Sequence, residues 1–191
     1  MRERTHGPRP ATRGGLLEEA IGFVLAAVQP VAADMLARPT PCEHWDLGML
    51  LAHVGESLAA LHEGMRRGDV ATVPAQADPV DDPVSALRVR AVRLLKATCR
   101  RQEVAIGDRR MAGGLLAVAG ALEVAVHGWD ISQATREGRP IPPALADELL
   151  PLAPLVLPEK RDPLFAGPVD PPPRAGPGDR LVALLGRRPL R

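Results

Sequence analysis

The chain has 191 residues and a formal net charge of +1 at neutral pH. This length suits one domain with a hydrophobic core, and the balanced charge excludes global attraction to nucleic acid or to an anionic membrane. With no Tyr, two Trp and two Phe, the core is expected to consist of Leu, Val and Ala, a composition typical of closely packed helices.

Four stretches of the chain carry apolar residues at helical spacing. Pro30 is expected to end or kink the first predicted helix, Asp46 to cap the second and Gly68 to end it. Residues 69–82 are predicted to form a loop, and residues 1–14, which lack the apolar core of a signal peptide, a flexible tail. The predicted helices span about residues 15–35, 47–67, 83–103 and 114–137.

The C-terminal part of the sequence has a different character. A shorter helix is predicted over about residues 143–152, whereas residues 168–178 are so rich in Pro and Gly that no regular structure is expected there. A last short helix over residues 179–186 is expected to be capped by Asp179 and ended by Gly186. The sequence therefore predicts an all-α protein: a four-helix bundle over residues 15–152, and a Pro-rich extension over residues 153–191 whose terminal helix packs on the bundle.

The run of residues 111–129 approaches the length of a membrane span, but Glu123, His127 and three Gly lie inside it. Charged groups are costly in lipid, so we expect a soluble cytoplasmic protein without a membrane or nucleic-acid partner. Cys42 and Cys99 have neither CxxC nor zinc-finger spacing, and nothing requires a disulfide between them. The sequence leaves a homodimer open.

Glu123 and His127 are the only side chains in that apolar run able to carry charge at neutral pH. Residues four apart lie on one helix face, so both groups point the same way out of a segment predicted to be buried. A buried carboxylate needs a counter-charge or a metal, and Glu and His one turn apart form half of a metal site. The alternative, which these two residues support equally well, is that Glu123 and His127 bond each other or an Arg of a neighbouring helix and have only a structural role.

A third ligand would have to come from another helix. His53 and His62 lie nine residues apart on the second predicted helix, and therefore on opposite faces. His53, in a mostly apolar turn, is the better inward candidate, although a hydrogen-bonded imidazole at the edge of the core is the commoner role. His62 is expected at the surface.

Four further residues could contribute to such a site. Asp130 could orient the imidazole of His127 as a hydrogen-bond acceptor, although a solvated or helix-bound carboxylate is the favoured interpretation. Trp45 and Trp129 could wall a pocket, with a core position favoured for both. Cys42 is expected to be a buried, inert thiol rather than a reactive one.

Three segments of the chain carry a resemblance to a known family. They are Pro39-Thr-Pro-Cys-Glu-His-Trp-Asp-Leu-Gly-Met-Leu-Leu-Ala-His53-Val-Gly, Glu123-Val-Ala-Val-His127-Gly-Trp-Asp130-Ile-Ser-Gln-Ala-Thr and Asp179-Arg-Leu-Val-Ala-Leu-Leu-Gly-Arg-Arg-Pro. Together they resemble the mycothiol-dependent maleylpyruvate isomerase N-terminal family, in its short actinobacterial form, within the DinB/YfiT-like superfamily. The resemblance implies a DinB-like bundle in which His53, Glu123 and His127 hold a divalent metal, zinc foremost, with nickel, iron or manganese as alternatives.

The resemblance also implies an activity. One carboxylate and two imidazoles leave open positions on a zinc ion, which is the mark of a catalytic site. With mycothiol as the implied co-substrate, we expect a metal-dependent thiol transferase or isomerase that acts on a small-molecule thiol and an electrophile. The alternative is a non-catalytic metal-binding or stress-response module. The isomerase carries an additional C-terminal domain at its substrate site, where this sequence is rich in Pro, so the resemblance extends to the metal domain rather than to maleylpyruvate as the substrate.

Overall fold

The computed structural model describes residues 13–70, 82–97, 102–158 and 166–189. Most of the predicted N-terminal tail, most of the loop after the second predicted helix, and Cys99 lie outside these residues. The elements in chain order are α1 (Arg13–Ala27), α2 (Leu47–Arg67), β1 (Asp69–Val70), α3 (Pro83–Leu95), β2 (Glu103–Ile106), β3 (Arg109–Ala112), α4 (Gly113–Ala134), α5 (Pro143–Leu149), α6 (Ala153–Val156) and α7 (Pro177–Leu184), with a 3-10 turn at Ala33–Met35.

The helix α4 lies at the centre of the fold. It is apolar on almost every side, as expected for a helix surrounded by protein. It packs along α1 and α2, while α3 packs on α2 and α1, and α7 packs on α5. Apolar residues of all six of these helices join one hydrophobic core. The predicted all-α, DinB-like fold class is thus confirmed in that the protein is mainly helical, with one small three-stranded sheet among the described residues.

The burial of α4 also bears on the membrane question. It is the one helix among the described residues that is long and apolar enough to cross a membrane, and 78% of its most apolar 18-residue window is buried inside the protein. Burial of this kind is typical of the core helix of a soluble protein.

Two Gly residues allow the neighbours of α4 to approach its backbone closely. A Cβ placed on Gly120 would lie 2.7 Å from the side chain of Leu61 on α2. A Cβ placed on Gly128 would lie 2.9 Å from the ring of Phe23 and 3.4 Å from the Cα of Val24, both on α1. Real Cβ atoms essentially never approach other atoms within 3.0 Å. The helices α1 and α2 can therefore pack this closely on α4 only because Gly120 and Gly128 have no side chain.

The second helix begins and ends where the sequence predicts. The Asp46 carboxylate accepts a hydrogen bond of 2.8 Å from the backbone N–H of Met49, and Gly68 ends the helix with a positive φ of 84°. In the connector before it, Thr40 Oγ1 donates to the carbonyl of Trp45 at 2.9 Å. These contacts place Cys42 and Trp45 beside the start of α2.

A small three-stranded sheet is present that the all-α prediction does not include. The helix α3 stops at Leu95 rather than near residue 103, β1 pairs parallel to β2, and β2 pairs antiparallel to β3. Gly107, at a φ of 61°, forms with Asp108 the two-residue turn between β2 and β3. Positive φ at such a turn favours a hairpin, a signal that the all-α prediction took for a connector between helices.

Three other boundaries differ from the prediction. The first helix ends at Ala27, before Pro30, and the fifth ends at Leu149. The last helix begins at Pro177 with Gly176 at its N-cap position, so Asp179 does not cap it but lies in its first turn. An acidic group there still interacts favourably with the helix dipole. Gly186 follows the helix with a φ of 81°, as its predicted role at the helix end requires.

The close contact at Gly128 makes a test of this packing. We expect Gly128→Val to lower the free energy of unfolding by about 1–3 kcal/mol, because α1 must move away from α4 to admit the side chain. Gly22→Val on the exposed side of α1, where a Cβ meets nothing within 4 Å, is the matched control and is expected to change stability by less than about 0.5 kcal/mol. Urea denaturation measures both, and equal effects would contradict the proposed close packing.

Candidate metal centre

Three side chains from two helices converge on one carboxylate oxygen. His53 Nε2, on α2, lies 2.7 Å from Glu123 Oε1, on α4. His127 Nε2, one turn further along α4, lies 3.3 Å from the same oxygen. Ser57, one turn after His53, donates a hydrogen bond of 3.2 Å to that oxygen as well. Each helix thus contributes two side chains that lie four residues apart, His53 and Ser57 on α2 and Glu123 and His127 on α4.

The site is open on one side and closed on the other. The side chains of His53 and Glu123 are 35% and 29% exposed, whereas that of His127 is 9% exposed. Glu123 is therefore half-buried, not fully buried as its apolar neighbours in the sequence predict. The Glu123 side of the cluster thus faces solvent, while His127 lies deeper in the protein.

The two imidazoles determine the charge of Glu123. Burial raises the pKa of this carboxyl, but the hydrogen bonds from His127 and His53 outweigh it and hold the pKa well below its usual range. Glu123 is consequently an anion at neutral pH. An anionic oxygen facing two imidazole nitrogens is a donor set that divalent transition metals accept.

The far side of the His127 ring is bonded to Asp130. Nδ1 of His127 lies 3.0 Å from Oδ2 of Asp130, so the ring donates from Nδ1 and directs Nε2 toward Glu123. Burial lowers the pKa of His127, but hydrogen bonds to Asp130, Cys42 and Glu123 raise it well above its usual value. A carboxylate behind an imidazole is the arrangement that fixes the tautomer and orientation of metal-binding His.

Asp130 is completely buried and accepts hydrogen bonds from three side chains. Besides His127, the Cys42 thiol donates to Oδ2 at 3.3 Å, and Arg187 donates from Nη2 to Oδ2 at 3.0 Å. Burial raises the pKa of Asp130, but the bond from His127 and the charge of Arg187 lower it below its usual value. The interpretation of Asp130 as a solvated or merely helix-bound carboxylate was therefore wrong.

The aromatic residues divide between the site and the core. The Trp45 ring contacts His53 edge-on, with ring centroids 4.7 Å apart, and lies nearly parallel to the His127 ring at 6.5 Å. Trp45 therefore covers both imidazoles, whereas Trp129 is buried in the core. Of the two Trp residues, Trp45 is the one that lines the site.

Two groups of side chains among the described residues have metal-ligand composition and spacing. In each, the ligand atoms lie within 4.8 Å of one another. The donor types of His53, Glu123 and His127 fit a metal. Ligand bonds of about 2.1 Å separate the ligands of one ion by roughly 3–4 Å. His127 Nε2 lies within that range of Oε1, at 3.3 Å, whereas His53 Nε2, at the hydrogen-bond distance of 2.7 Å, has to move outward to admit an ion. The cluster is also open to solvent on the Glu123 side.

The second group consists of Cys42, His127 and Asp130. Arg187 Nη2 lies 3.1 Å from the Cys42 sulfur and 3.0 Å from Asp130 Oδ2. A guanidinium in this position repels a cation, and the Nδ1 proton that His127 gives to Asp130 prevents that nitrogen from acting as a ligand. We therefore interpret this group as a hydrogen-bonded support for the first.

The structure brings together all three residues that the sequence selects as ligands, while His62 lies outside both groups. Cys42 is a half-buried free thiol that contacts this site, and not the fully buried thiol expected; that it is inert stays a prediction. Ser57 and Arg187 are contributors that the sequence reasoning missed. The position of Ser57, four residues after His53, was a usable signal, whereas nothing near Arg187 in the sequence points to Asp130.

Comparison with known proteins gives two findings. The family described as mycothiol maleylpyruvate isomerase N-terminal domain matches residues 17–132 of the chain. Two uncharacterized proteins, one from each of two strains of Mycobacterium tuberculosis, are each 30% identical to it over 182 residues, covering 89% of this chain and 93% of the relative. The matched segment contains the three converging side chains and Asp130.

The buried pair of Asp130 and Arg187 can be tested without any metal. In the presence of chelator, we expect Asp130→Asn to lower the free energy of unfolding by about 3 kcal/mol, because Arg187 is left buried without its anion. Asp147→Asn is the control, since Asp147 pairs with Arg180 at 3.5 Å on the surface, and it is expected to cost less than about 0.5 kcal/mol. Urea denaturation of both variants decides; similar small losses would show that the Asp130 pair is not buried as described.

Proposed function

Because the chain belongs to the mycothiol maleylpyruvate isomerase N-terminal domain family, we propose that it binds one divalent metal ion through His53, Glu123 and His127. The observation that carries the proposal is the convergence of two imidazole Nε2 atoms on one carboxylate oxygen at a site open to solvent. Two imidazoles and a carboxylate are the protein ligands of many catalytic zinc sites.

The groups around the ligands support this proposal. Asp130 bonds the Nδ1 side of His127 and leaves Nε2 for a metal, and Ser57 holds the Glu123 oxygen that faces both rings. Ligands fixed by such neighbours lose less conformational freedom when a metal binds. Zinc suits this donor set best, and nickel, iron and manganese are the alternatives.

We further propose that the activity is that of a thiol transferase or isomerase with mycothiol as the thiol, acting on a small electrophile in the cytoplasm. When bound, the metal would supply Lewis acidity that favours the thiolate form of a thiol at neutral pH. The contribution of the chain itself is positional: Trp45 covers both imidazoles on one side, and the exposed edge of Glu123 leaves an entry for the thiol.

A second candidate function is a non-catalytic metal-binding or stress-response module. The observation that favours it is that His53 and Ser57 on α2 and His127 on α4 all contact the Glu123 carboxylate, so the cluster has a structural use that needs no reaction. Glu123, His53 and His127 can thus hold α2 against α4 through their mutual hydrogen bonds. The two functions differ in whether an exogenous thiol reaches the metal.

Metal content tests the ligand set. We expect elemental analysis of protein purified without an affinity tag to give about one metal per chain, and His53→Ala, His127→Ala and Glu123→Gln each to lose most of it. His62→Ala, on the same helix as His53 but outside the cluster, is the control and is expected to retain the metal. Equal losses at His53 and His62, or a metal-free wild type after zinc repletion, would refute the ligand set.

Cobalt substitution distinguishes the two functions. If the site accepts thiols, adding a low-molecular-weight thiol to the cobalt-loaded protein is expected to produce intense thiolate-to-cobalt absorption in the near ultraviolet, because an open position exists on the ion. An alcohol of the same size is the control ligand and is expected to leave that region unchanged. A spectrum indifferent to the thiol would favour the non-catalytic module.

A further inference from the structure

Arg187 reaches this site from a distant part of the chain. It follows α7 and lies 57 residues after Asp130, beyond the residues 17–132 that the family matches. We propose, on the premise of the metal site proposed above, that Arg187 is a positioning residue. It holds Asp130 in the orientation in which Asp130 fixes the His127 ring for metal binding.

The Arg187 guanidinium donates a hydrogen bond to each oxygen of the Asp130 carboxylate. Nη2 donates to Asp130 Oδ2 at 3.0 Å, and Nε donates to Oδ1 at 3.4 Å. This two-pronged contact defines the plane of the carboxylate as well as its position. The bonds from His127 and Cys42 both reach Oδ2, so Arg187 is the residue that holds Oδ1.

Arg187 is itself held firmly. Its backbone N–H bonds the carbonyl of Val182, and that of Gly186 bonds the carbonyl of Ala183, each at 3.0 Å, the pattern of a Schellman cap on α7. Its Nη1 donates to the carbonyl of Leu185 at 2.9 Å. The end of α7 thus fixes both the backbone and the guanidinium of Arg187.

The cap requires Gly at position 186. Gly186 has a φ of 81°, and a Cβ there would lie 2.5 Å from the Cβ of Ala166 and 2.9 Å from the carbonyl oxygen of Gly167. The residues before α7 therefore press against its end. From the end of α7, hydrogen bonds connect Arg187 to Asp130 and Asp130 to His127, whose other ring nitrogen faces the position proposed for the metal.

A merely structural role for Arg187 predicts a different outcome from a positioning role. As a structural ion pair, Arg187 would affect only the stability of the fold. As a positioning residue, Arg187 affects zinc affinity, and it does so through Asp130. Because the coupling between two sites is reciprocal, zinc binding must in turn stabilise the hydrogen bonds that hold Arg187.

The experiment measures zinc affinity by competition with a chromogenic chelator. We expect Arg187→Ala to weaken binding about tenfold, the lower end of the loss seen when a supporting partner of a ligand is removed. Arg187→Lys keeps the positive charge but not the planar guanidinium that donates to both carboxylate oxygens, and its zinc affinity is expected to lie between those of Arg187→Ala and the wild type. Arg180→Ala is the matched control, since Arg180 belongs to α7 and pairs on the surface, and it is expected to bind zinc within about twofold of wild type.

Two further measurements separate the alternatives. In the Asp130→Asn background, Arg187→Ala is expected to cause no additional loss of zinc affinity. In the wild type, zinc is expected to slow hydrogen exchange of the Arg187 amide, and in Asp130→Asn it is not. The exchange measurement needs no variant at position 187, so it decides the question even if Arg187→Ala fails to fold.

A folded Arg187→Ala that binds zinc as tightly as wild type, or an independent further loss in the Asp130→Asn background, would overturn the inference while leaving the metal site standing. Hydrogen exchange of the Arg187 amide at the same rate with and without zinc would likewise overturn the inference. A wild type that binds no zinc would instead overturn the proposed function.

Discussion

The constraint that organises this protein is the charge carried by its most buried helix. The helix α4 is surrounded by protein, yet it carries Glu123, His127 and Asp130 on neighbouring turns. Charges placed in such surroundings are costly without partners, so other elements must supply them. The partners are His53 and Ser57 from α2, Cys42 from the connector, and Arg187 from the end of α7.

These partners produce two zones along α4 with different properties. Asp130 is fully buried, Cys42 and Arg187 beside it are only partly exposed, and the opposite charges of Asp130 and Arg187 balance one another. Around Glu123 the groups are partly exposed, and the carboxylate faces imidazoles that can exchange a proton for a metal. The imidazole of His127 belongs to both zones, with Nδ1 in the closed one and Nε2 in the open one.

Local rules of the sequence predicted the parts of the structure that depend on neighbours in the chain. The bounds of α2 follow from the cap at Asp46 and the positive φ at Gly68, and the approach of Glu123 to His127 follows from helix periodicity. His53 bonds Glu123 whereas His62 lies outside the cluster, which agrees with the apolar surroundings of His53 in the sequence. Whether these three residues bind a metal stays a prediction.

The parts that the sequence did not predict depend on contacts across the fold. The strands β1 and β2 pair with each other although α3 lies between them in the chain, and a two-residue strand is too short to show a periodic pattern. The exposure of Glu123 is determined by how α2 and the connector pack, and not by its apolar neighbours in sequence. Arg187 follows a short helix that the Pro-rich residues 168–178 separate from the bundle, so its approach to Asp130 could not be inferred from spacing.

The length of chain that separates the members of the site has a kinetic consequence. His53 and Glu123 are 70 residues apart, and Cys42 and Arg187 are 145 residues apart. Helices form from local contacts in about a microsecond, whereas contacts of such separation require closure of long loops and form slowly. A chain with native helices can therefore contain the Glu123–His127 pair of α4 and still lack the contacts from α2, the connector and the end of α7 that complete the site. Trp45, which covers both imidazoles, consequently reports the arrival of the complete tertiary structure and not the formation of helix.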